Sequence, residues 1–357
     1  MSKPTLKTIA NVTGLAQTTV SRALKNDPKI AQATRDRVKK VADTLGYVPD
    51  RAAQRLRTGR TNVIAIVLSP HTEILGFRES MMAGLSEALH GTRYHLTMTP
   101  YDLDGDPMCP IHHIVQQRLA DGVIFAGTQP NDPRVDFLLS EGFPFVTHGR
   151  TQRAAEHAWC DFDNGQFIEM ALQRLANLGR RRVTVFLPPS ELNYTRYIKD
   201  TAKNVGPELG LRISFPDQLS LASGADEIRQ YVQEQLRLKD APDAFVCPGE
   251  VNSLAVISAI EDSGLRINHD IDVVAKQTSQ LFDLMRPRID TIYEDLQAAG
   301  ASMGRLLLQI FESEVSECLF ELQAPVAHFR QNLPRRLRQS SPSCTDTFNP
   351  SKALWGD

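Results

Sequence analysis

No stretch constrains this chain more than Thr8–Leu24, TIANVTGLAQTTVSRAL. Ile9, Ala10, Val12 and Thr13 fall on a short helical repeat that Gly14 interrupts. After Leu15 a second repeat begins near Ala16–Gln17 and turns Val20, Ala23 and Leu24 to one side. Two short helices joined through a tight glycine-containing turn spell a helix-turn-helix. In that motif the second helix enters the major groove of DNA and offers its first residues to base edges. Here these are Gln17, Thr18 and Thr19, with Ser21 and Arg22 one turn later.

Charge divides the chain in the same way. The formal net charge of −2 conceals thirteen Lys and Arg against four Asp in residues 1–60, so the remainder is correspondingly acidic. A basic segment on an acidic chain points to a polyanionic partner for that segment. A third helix is expected from about Ala31, with Val38, Val41, Ala42 and Leu45 on one face and a stop at Gly46. Asp50–Thr58, DRAAQRLRT, has helix formers behind an Asp cap but is short and basic. Such a helix is expected to form only against DNA or against a second copy.

From Thr61 the texture changes. Asn62–Leu68, His95–Thr99, Gly122–Phe125 and Phe143–Thr147 read as strands, separated by helices at Leu75–Leu89, Ile111–Leu119 and Val135–Leu139. The alternation restarts with a helix at Gln166–Leu178. Strands follow at Arg182–Leu187, Leu211–Ser214, Ala244–Cys247 and Ile271–Ala275, again with helices between them. Two successive α/β sets predict two parallel sheets with a cleft at the carboxyl ends of their strands. Arg288–Tyr293, a helix at Leu296–Phe311 and two short strands before Leu333 would return the chain to both halves. The polar, Pro/Ser-containing tail from Arg338 shows no leucine heptads, so no C-terminal coiled coil is expected.

Several chemistries find no support. The five cysteines are widely spaced with no C-x-x-C, which predicts neither a zinc site nor a disulfide framework. His112-His113 is adjacent rather than at i, i+4, and no metal site follows from it. Neither G-x-S-x-G, a P-loop nor G-x-G-x-x-G occurs. Asp102, Asp104 and Asp106 lack the later Gly and Glu of a calcium loop and read as a solvated turn. No enzyme activity and no cofactor is expected. The start, MSKPTLK, lacks the apolar core of a signal peptide, and no run is long enough to span a membrane. A cytoplasmic protein with reduced thiols is the expectation.

Over essentially its whole length the sequence resembles the LacI/GalR family of bacterial transcription regulators. The N-terminal match is dense, through TVSRAL, TRDRV, TLGYVPD and AAQRLRTG, and a weaker collinear match continues through DFDNGQ, LANLGRRRVTVF, VISAIEDSGL and VVA at 273–275. The resemblance implies a homodimer on a near-palindromic operator, with a periplasmic-binding-protein-like effector module. It sets Gln17, Thr18 and Arg22 on base edges. Arg22 is the sharpest candidate because an Arg bonds guanine bidentately. Thr5, Thr19, Ser21, Asn26 and Thr34 would anchor phosphates. Ala16 stands where the family usually has Ser, so one phosphate hydroxyl is missing. In Ala53-x-x-Leu56, Leu56 matches the leucine that wedges into the minor groove and kinks the operator.

For the effector the resemblance implies Asp161, Arg196, Glu250 and Gln277, with Phe77, Tyr101, His148 and Arg150 near strand ends of the first half. Asp161 belongs to the acidic stretch DFDN, where the chain crosses between lobes. The family's Gly-aromatic-Asp-Asp after VV reads Ala275-Lys276-Gln277-Thr278, an amide in place of a sugar-binding carboxylate with a lysine beside it. An amide in the cleft suits a polyol. A lysine in the cleft suits an anionic ligand, and one pointing outward suits neither; the sequence leaves these open.

The expected fold class is an N-terminal all-α helix-turn-helix domain plus an α/β two-lobed effector domain. The expected boundaries are a headpiece at 1–49, a hinge helix and linker at 50–60, an effector and dimerisation domain at 61–336 and a tail at 337–357. Lobe 1 takes 61–160 with 291–318, and lobe 2 takes 161–290 with 319–336. The expected function is a ligand-responsive repressor of carbohydrate-related genes whose partners are double-stranded operator DNA, a sugar or sugar derivative, and a second copy. The alternatives are an activator, or a binding protein whose effector is not a sugar.

Overall fold

The computed structural model describes residues 4–47, 55, 59–68, 74–99, 105–312 and 319–331. These fall into two compact units, Met1–Val63 with His113–Asp121, and Ile64–His112 with Gly122–Asp357.

The first unit is built on three helices, α1 (Leu6–Thr13), α2 (Gln17–Leu24) and α3 (Gln32–Leu45). Thr5 starts α1 with a capping box: its hydroxyl accepts from Thr8 N–H, and its own N–H donates to the Thr8 hydroxyl. Gly14 ends α1 at φ 68°, a left-handed conformation that costs a Cβ-bearing residue more. The chain thus turns within three residues and lays α2 across α1. Ile9, Ala10, Val20, Ala23, Val38 and Ala42 form the core. Burying one aliphatic side chain of this kind contributes roughly 1.5–3 kcal/mol. The core is small, and every member counts.

The second unit carries two six-stranded sheets, and both take their strands from distant parts of the chain. The first contains β1 (Val63–Val67), β2 (His95–Met98), β3 (Gly122–Ala126), β4 (Phe145–His148), β5 (Ala158–Phe162) and β11 (Phe320–Gln323), in the order β11-β5-β4-β3-β1-β2. The second contains β6 (Arg182–Val185), β7 (Arg212–Ser214), β8 (Ala244–Cys247), β9 (Asp272–Gln277), β10 (Asp290–Tyr293) and β12 (Val326–His328), in the order β12-β10-β9-β8-β6-β7. The register pairs of β1, β3, β4, β5 and β11 are parallel, as are those of β6 to β10, while β12 runs antiparallel to β10. Strands buried on both faces, such as Val-Ile-Ala-Ile-Val in β1, are what a helix-covered parallel sheet requires.

The remaining helices are α4 (Phe77–Leu89), α5 (Met108–Gln116), α6 (Pro133–Ser140), α7 (Asn164–Asn177), α8 (Asn193–Glu208), α9 (Ala225–Leu236), α10 (Glu250–Asp262), α11 (Leu281–Leu284) and α12 (Leu296–Glu312). α4 and α12 meet at backbone distance: a Cβ on Gly84 would fall 1.9 Å from the Gln297 carbonyl oxygen. Only glycine lets these two helices close over the first sheet.

The chain crosses between the sheets three times, after β5, after β10 and between β11 and β12. This corrects the expected lobe boundaries. Phe320–Gln323 belongs to the first sheet rather than the second lobe, because it pairs with β5 and stacks Phe320 on Trp159 at 4.8 Å. Residues 291–293 belong to the second sheet, since β10 pairs with β9. The first lobe also runs past 160, to the end of β5 at Phe162. Residues 337–357, the expected tail, lie outside the described residues.

Candidate functional site

Two places in the chain gather polar residues where a ligand can reach them. On the first, α2 buries Val20 and Ala23 and thereby turns Gln17, Thr18 and Arg22 to solvent, with Thr19 and Ser21 half-buried. Its N-cap, Ala16, makes no side-chain hydrogen bond, so the amides of the first turn have no protein cap. Arg22 is not loose. Its Nε donates to Asp27 Oδ2 at 2.8 Å, and Asp27 Oδ1 accepts from Lys29 N–H. The hydrogen bond from Arg22 holds the Asp27 carboxyl below its ordinary value, so the pair stays ionised at neutral pH. Arg35 ties the same turn by donating to the carbonyls of Asp27 and Ile30. Asn26 is exposed at φ 55°, and Thr34 is half-buried in the first turn of α3. Thr5, expected at a phosphate, is also the cap of α1. Ala53 and Leu56 lie outside the described residues. Of residues 50–60 only Arg55, Gly59 and Arg60 are described. Arg55 donates to the carbonyls of Gln117 and Arg118 at 3.1 and 2.7 Å.

The second place is a cavity of about 50 Å³ at the carboxyl ends of both sheets. At ~10–15 Å³ per water it has room for a few waters. Ile74, Phe77 and Tyr194 give it apolar surface, while Thr128, His148, Asp161, Asn164, Lys276 and Glu294 give it polar groups. Topology explains the gathering: Thr128, His148 and Lys276 end or follow β3, β4 and β9, and Asn164 and Glu294 sit on crossovers. Lys276 Nζ lies 2.9 Å from Glu294 Oε2 and 2.7 Å from Asn164 Oδ1. The rings of Phe162, Phe167 and Tyr194 lie 4.5, 5.5 and 5.7 Å from the same ammonium. Asp161 accepts from Arg150 Nε at 2.7 Å. Burial pushes the Asp161 carboxyl up, and Arg150 opposes that rise without cancelling it.

Arg150 does not line the cavity but braces it, its guanidinium lying 4.3 Å from the Tyr197 ring centroid and 5.5 Å from that of Trp159. Asn193, at the start of α8, binds across from the second lobe. Its N–H donates to Thr128 O at 2.8 Å and its side-chain amide to Arg150 O at 2.7 Å.

The expected effector residues therefore divide. The structure brings Phe77, His148 and Asp161 into one cavity, with Arg150 against it. Tyr101 lies outside the described residues. Arg196 does not line the cavity, because the turn of α8 that presents Tyr194 leaves Arg196 exposed. Glu250 is spent locally, its Oε1 accepting from the N–H groups of Thr278 and Ser279 and from the Ser279 hydroxyl. Gln277 is also occupied, by Ser279 O, Asp283 and Thr291. Consecutive residues of a strand face opposite sides, so Lys276, and not Gln277, points into the cavity. Lys276 itself was a visible candidate of unsettled direction; Thr128, Asn164, Tyr194 and Glu294 carried no signal of their own. Among the described residues no cluster of His, Cys, Asp or Glu is arranged to hold a metal ion, and no helix is long and apolar enough to cross a membrane.

Comparison with known proteins bears on both places. Residues 5–50 match the bacterial regulatory proteins of the lacI family, and residues 172–325 match the periplasmic binding protein-like domain. The HTH-type transcriptional regulator AglR of Rhizobium meliloti (strain 1021) is 30% identical over 314 residues, covering 85% of this chain and 86% of its own. The regulator RafR of Escherichia coli is 34% identical over 263 residues, covering 72% and 77%. Among solved structures, the CelR–cellobiose complex matches with a TM-score of 0.67 at 23% identity, over 92% of this chain and 99% of that one. The lac repressor dimer bound to operator and the anti-inducer ONPF matches with a TM-score of 0.78 at 19% identity, over 91% and 98%. These two likenesses establish the shared fold.

Proposed function

We propose that this chain, which belongs to the lacI family of bacterial regulatory proteins, represses transcription as a homodimer on a near-palindromic operator and answers to a carbohydrate. The family consists of ligand-responsive, DNA-binding transcriptional regulators, not enzymes, and this chain is one of them. The finer reading is built on its own residues.

The single observation that carries the DNA half is the outward face of α2, where Gln17, Thr18 and an Arg22 held by Asp27 stand over a fully packed three-helix core. Gln17, Thr18 and Arg22 read bases. Thr5, Thr19, Ser21, Asn26 and Thr34 bind phosphates, and Leu56, beside Ala53, enters the minor groove. The domains are a headpiece at 1–49, a hinge at 50–60, the effector module at 61–336 and a tail at 337–357. DNA as partner makes the cytoplasm the working compartment. The lac repressor, of the same fold, meets its operator as a dimer, which supports the same arrangement here.

For the effector, Phe77, His148, Asp161, Lys276 and Glu294 form the binding surface. A regulator of this fold, CelR, forms a complex with cellobiose, which supports a saccharide. Two hydrogen bonds from Asn193 join the lobes, to the carbonyls of Thr128 and Arg150. An effector shifts the balance between lobe arrangements by its differential affinity for them, typically ~1–3 kcal/mol of coupling.

Selection of duplexes from a random pool by the full chain, followed by footprinting, tests the DNA half. The expected product is a pair of half-sites related by a dyad. An enriched site without two-fold symmetry, or none at all, would overturn the dimeric operator reading.

A further inference from the structure

The Lys276–Glu294 pair decides what charge the cavity accepts. Among the described residues, each ionised group at its wall already has an opposite charge within the protein. Lys276 faces Glu294 at 2.9 Å, and Asp161 faces Arg150 at 2.7 Å. Both members of the first pair are almost wholly buried, at 4% and 5% side-chain exposure. The Asn164 carbonyl takes a second N–H of the ammonium and three aromatic rings lie around it, which leaves one N–H to donate. Among the described residues a phosphate or carboxylate entering here would find no uncompensated lysine or arginine, and it would lie beside two carboxylates. Burying a charge without a fresh counter-charge is strongly unfavourable.

Hydroxyl groups meet the opposite situation. A carboxylate accepts at two oxygens, and an ammonium donates three hydrogen bonds. Asp161 Oδ2 is taken by Arg150, and Glu294 Oε2 by Lys276. The second oxygen of each carboxylate has capacity left, Glu294 Oε1 lying 3.9 Å from His148 Nε2. Phe77, Ile74 and the Tyr194 ring supply apolar surface for the C–H faces of a ring-shaped ligand.

We propose that the cavity selects an uncharged, hydroxyl-bearing ligand and excludes its anionic counterparts, and that the Lys276–Glu294 pair sets this selectivity. Lys276 donates to ligand hydroxyls and Glu294 accepts from them, each keeping the other's charge compensated. The inference rests on the carbohydrate reading above and narrows it: a sugar phosphate or a sugar acid is not the effector.

The test is thermal shift on the full chain at pH 8. Glucose, galactose, maltose and cellobiose are set against glucose 6-phosphate, gluconate and galacturonate. A neutral saccharide is expected to raise the melting temperature with concentration, and its acidic counterpart to fail at roughly tenfold higher concentration. In Glu294→Gln, which strips Lys276 of its counter-ion, the preference should move toward the acidic member by about tenfold or more. Should that variant fail to fold, Lys276→Gln with Glu294→Gln leaves no unpaired charge and should bind the neutral saccharide more weakly. Equal or better stabilisation of the natural chain by an acidic member overturns the inference and leaves the carbohydrate reading intact. So does unchanged affinity in the double variant. Silence across both series would instead remove the carbohydrate reading, and this inference with it.

Discussion

Two ion pairs of the same chemistry, one in each half of the molecule, behave as opposites. Arg22 and Asp27 meet at 2.8 Å on the outer face of α2 with side chains 48% and 26% exposed. Lys276 and Glu294 meet at 2.9 Å with 4% and 5% exposed. Near water the attraction is weak and salt-screened. Asp27 can therefore orient Arg22 without locking it in place. In the cavity neither charge can leave without stranding the other. The difference teaches which pair is a positioning device and which is part of the wall: exposure, not distance, decides.

The largest effect should follow from stranding the buried charge. Glu294→Ala leaves Lys276 without a counter-ion and should destabilise the α/β unit by about 3–5 kcal/mol, whereas replacing both partners by apolar residues of similar size is often neutral. Urea denaturation of Glu294→Ala and of Lys276→Met with Glu294→Leu measures this. If the single variant loses no more than the double, the buried pair is no more binding than the exposed one and the comparison collapses.

Arg22→Ala comes next and acts on affinity rather than stability. One bidentate base contact discriminates by ~1–3 kcal/mol, so operator affinity should fall roughly 5- to 150-fold and preference should relax at one base pair per half-site. Competition against random duplex separates the two contributions, since phosphate contacts weaken all sequences alike. An equal loss on random DNA would reduce Arg22 to a phosphate contact.

The two sites were also unequally legible. For the headpiece, helix boundaries are local events: Gly14 and Gly46 in left-handed conformations end α1 and α3 where the sequence puts the stops. The outward face of α2 follows from its buried face, since helical phase is fixed by Val20 and Ala23. The cavity is a product of chain crossings. Strand β5, Ala-Trp-Cys-Asp-Phe, was not anticipated, because it is buried on both faces and shows no alternation. Glu294 bonds a lysine on a neighbouring strand end, and nothing in Tyr293-Glu294-Asp295 announces that. Gln277, which matches a family aspartate, lies on the face of β9 opposite Lys276, a one-residue difference that pleating turns into opposite directions.

A smaller effect is expected from the cap of α1. Thr5→Ala removes the hydroxyl that accepts from Thr8 N–H, and losing such a cap costs about 1 kcal/mol, within a range of ~0.5–2. Hydrogen exchange at the Ile9 and Ala10 amides of the full chain, measured without DNA, should show the loss in the headpiece alone. If exchange is unchanged while operator affinity falls, Thr5 serves DNA and not the helix.

The smallest effect sharpens the comparison from the exposed side. Asp27→Asn keeps an acceptor near Arg22 but removes the charge, so stability should barely move. Binding to any duplex should strengthen slightly, because one acid leaves a basic surface, while preference at the Arg22 base pair should weaken as the side chain loses its orientation. The pH dependence follows from the same bond. The hydrogen bond from Arg22 holds the folded Asp27 carboxyl below its ordinary value. The contribution of the pair is therefore fully present above that value and lost only as pH falls through the lower folded one. Operator selectivity between pH 5 and 8 should be the same slope in Asp27→Asn as in the natural chain. A selectivity that drops from pH 8 to 5 in the natural chain alone would mean that Asp27 titrates higher than its bond to Arg22 permits, and that Arg22 is held by something else.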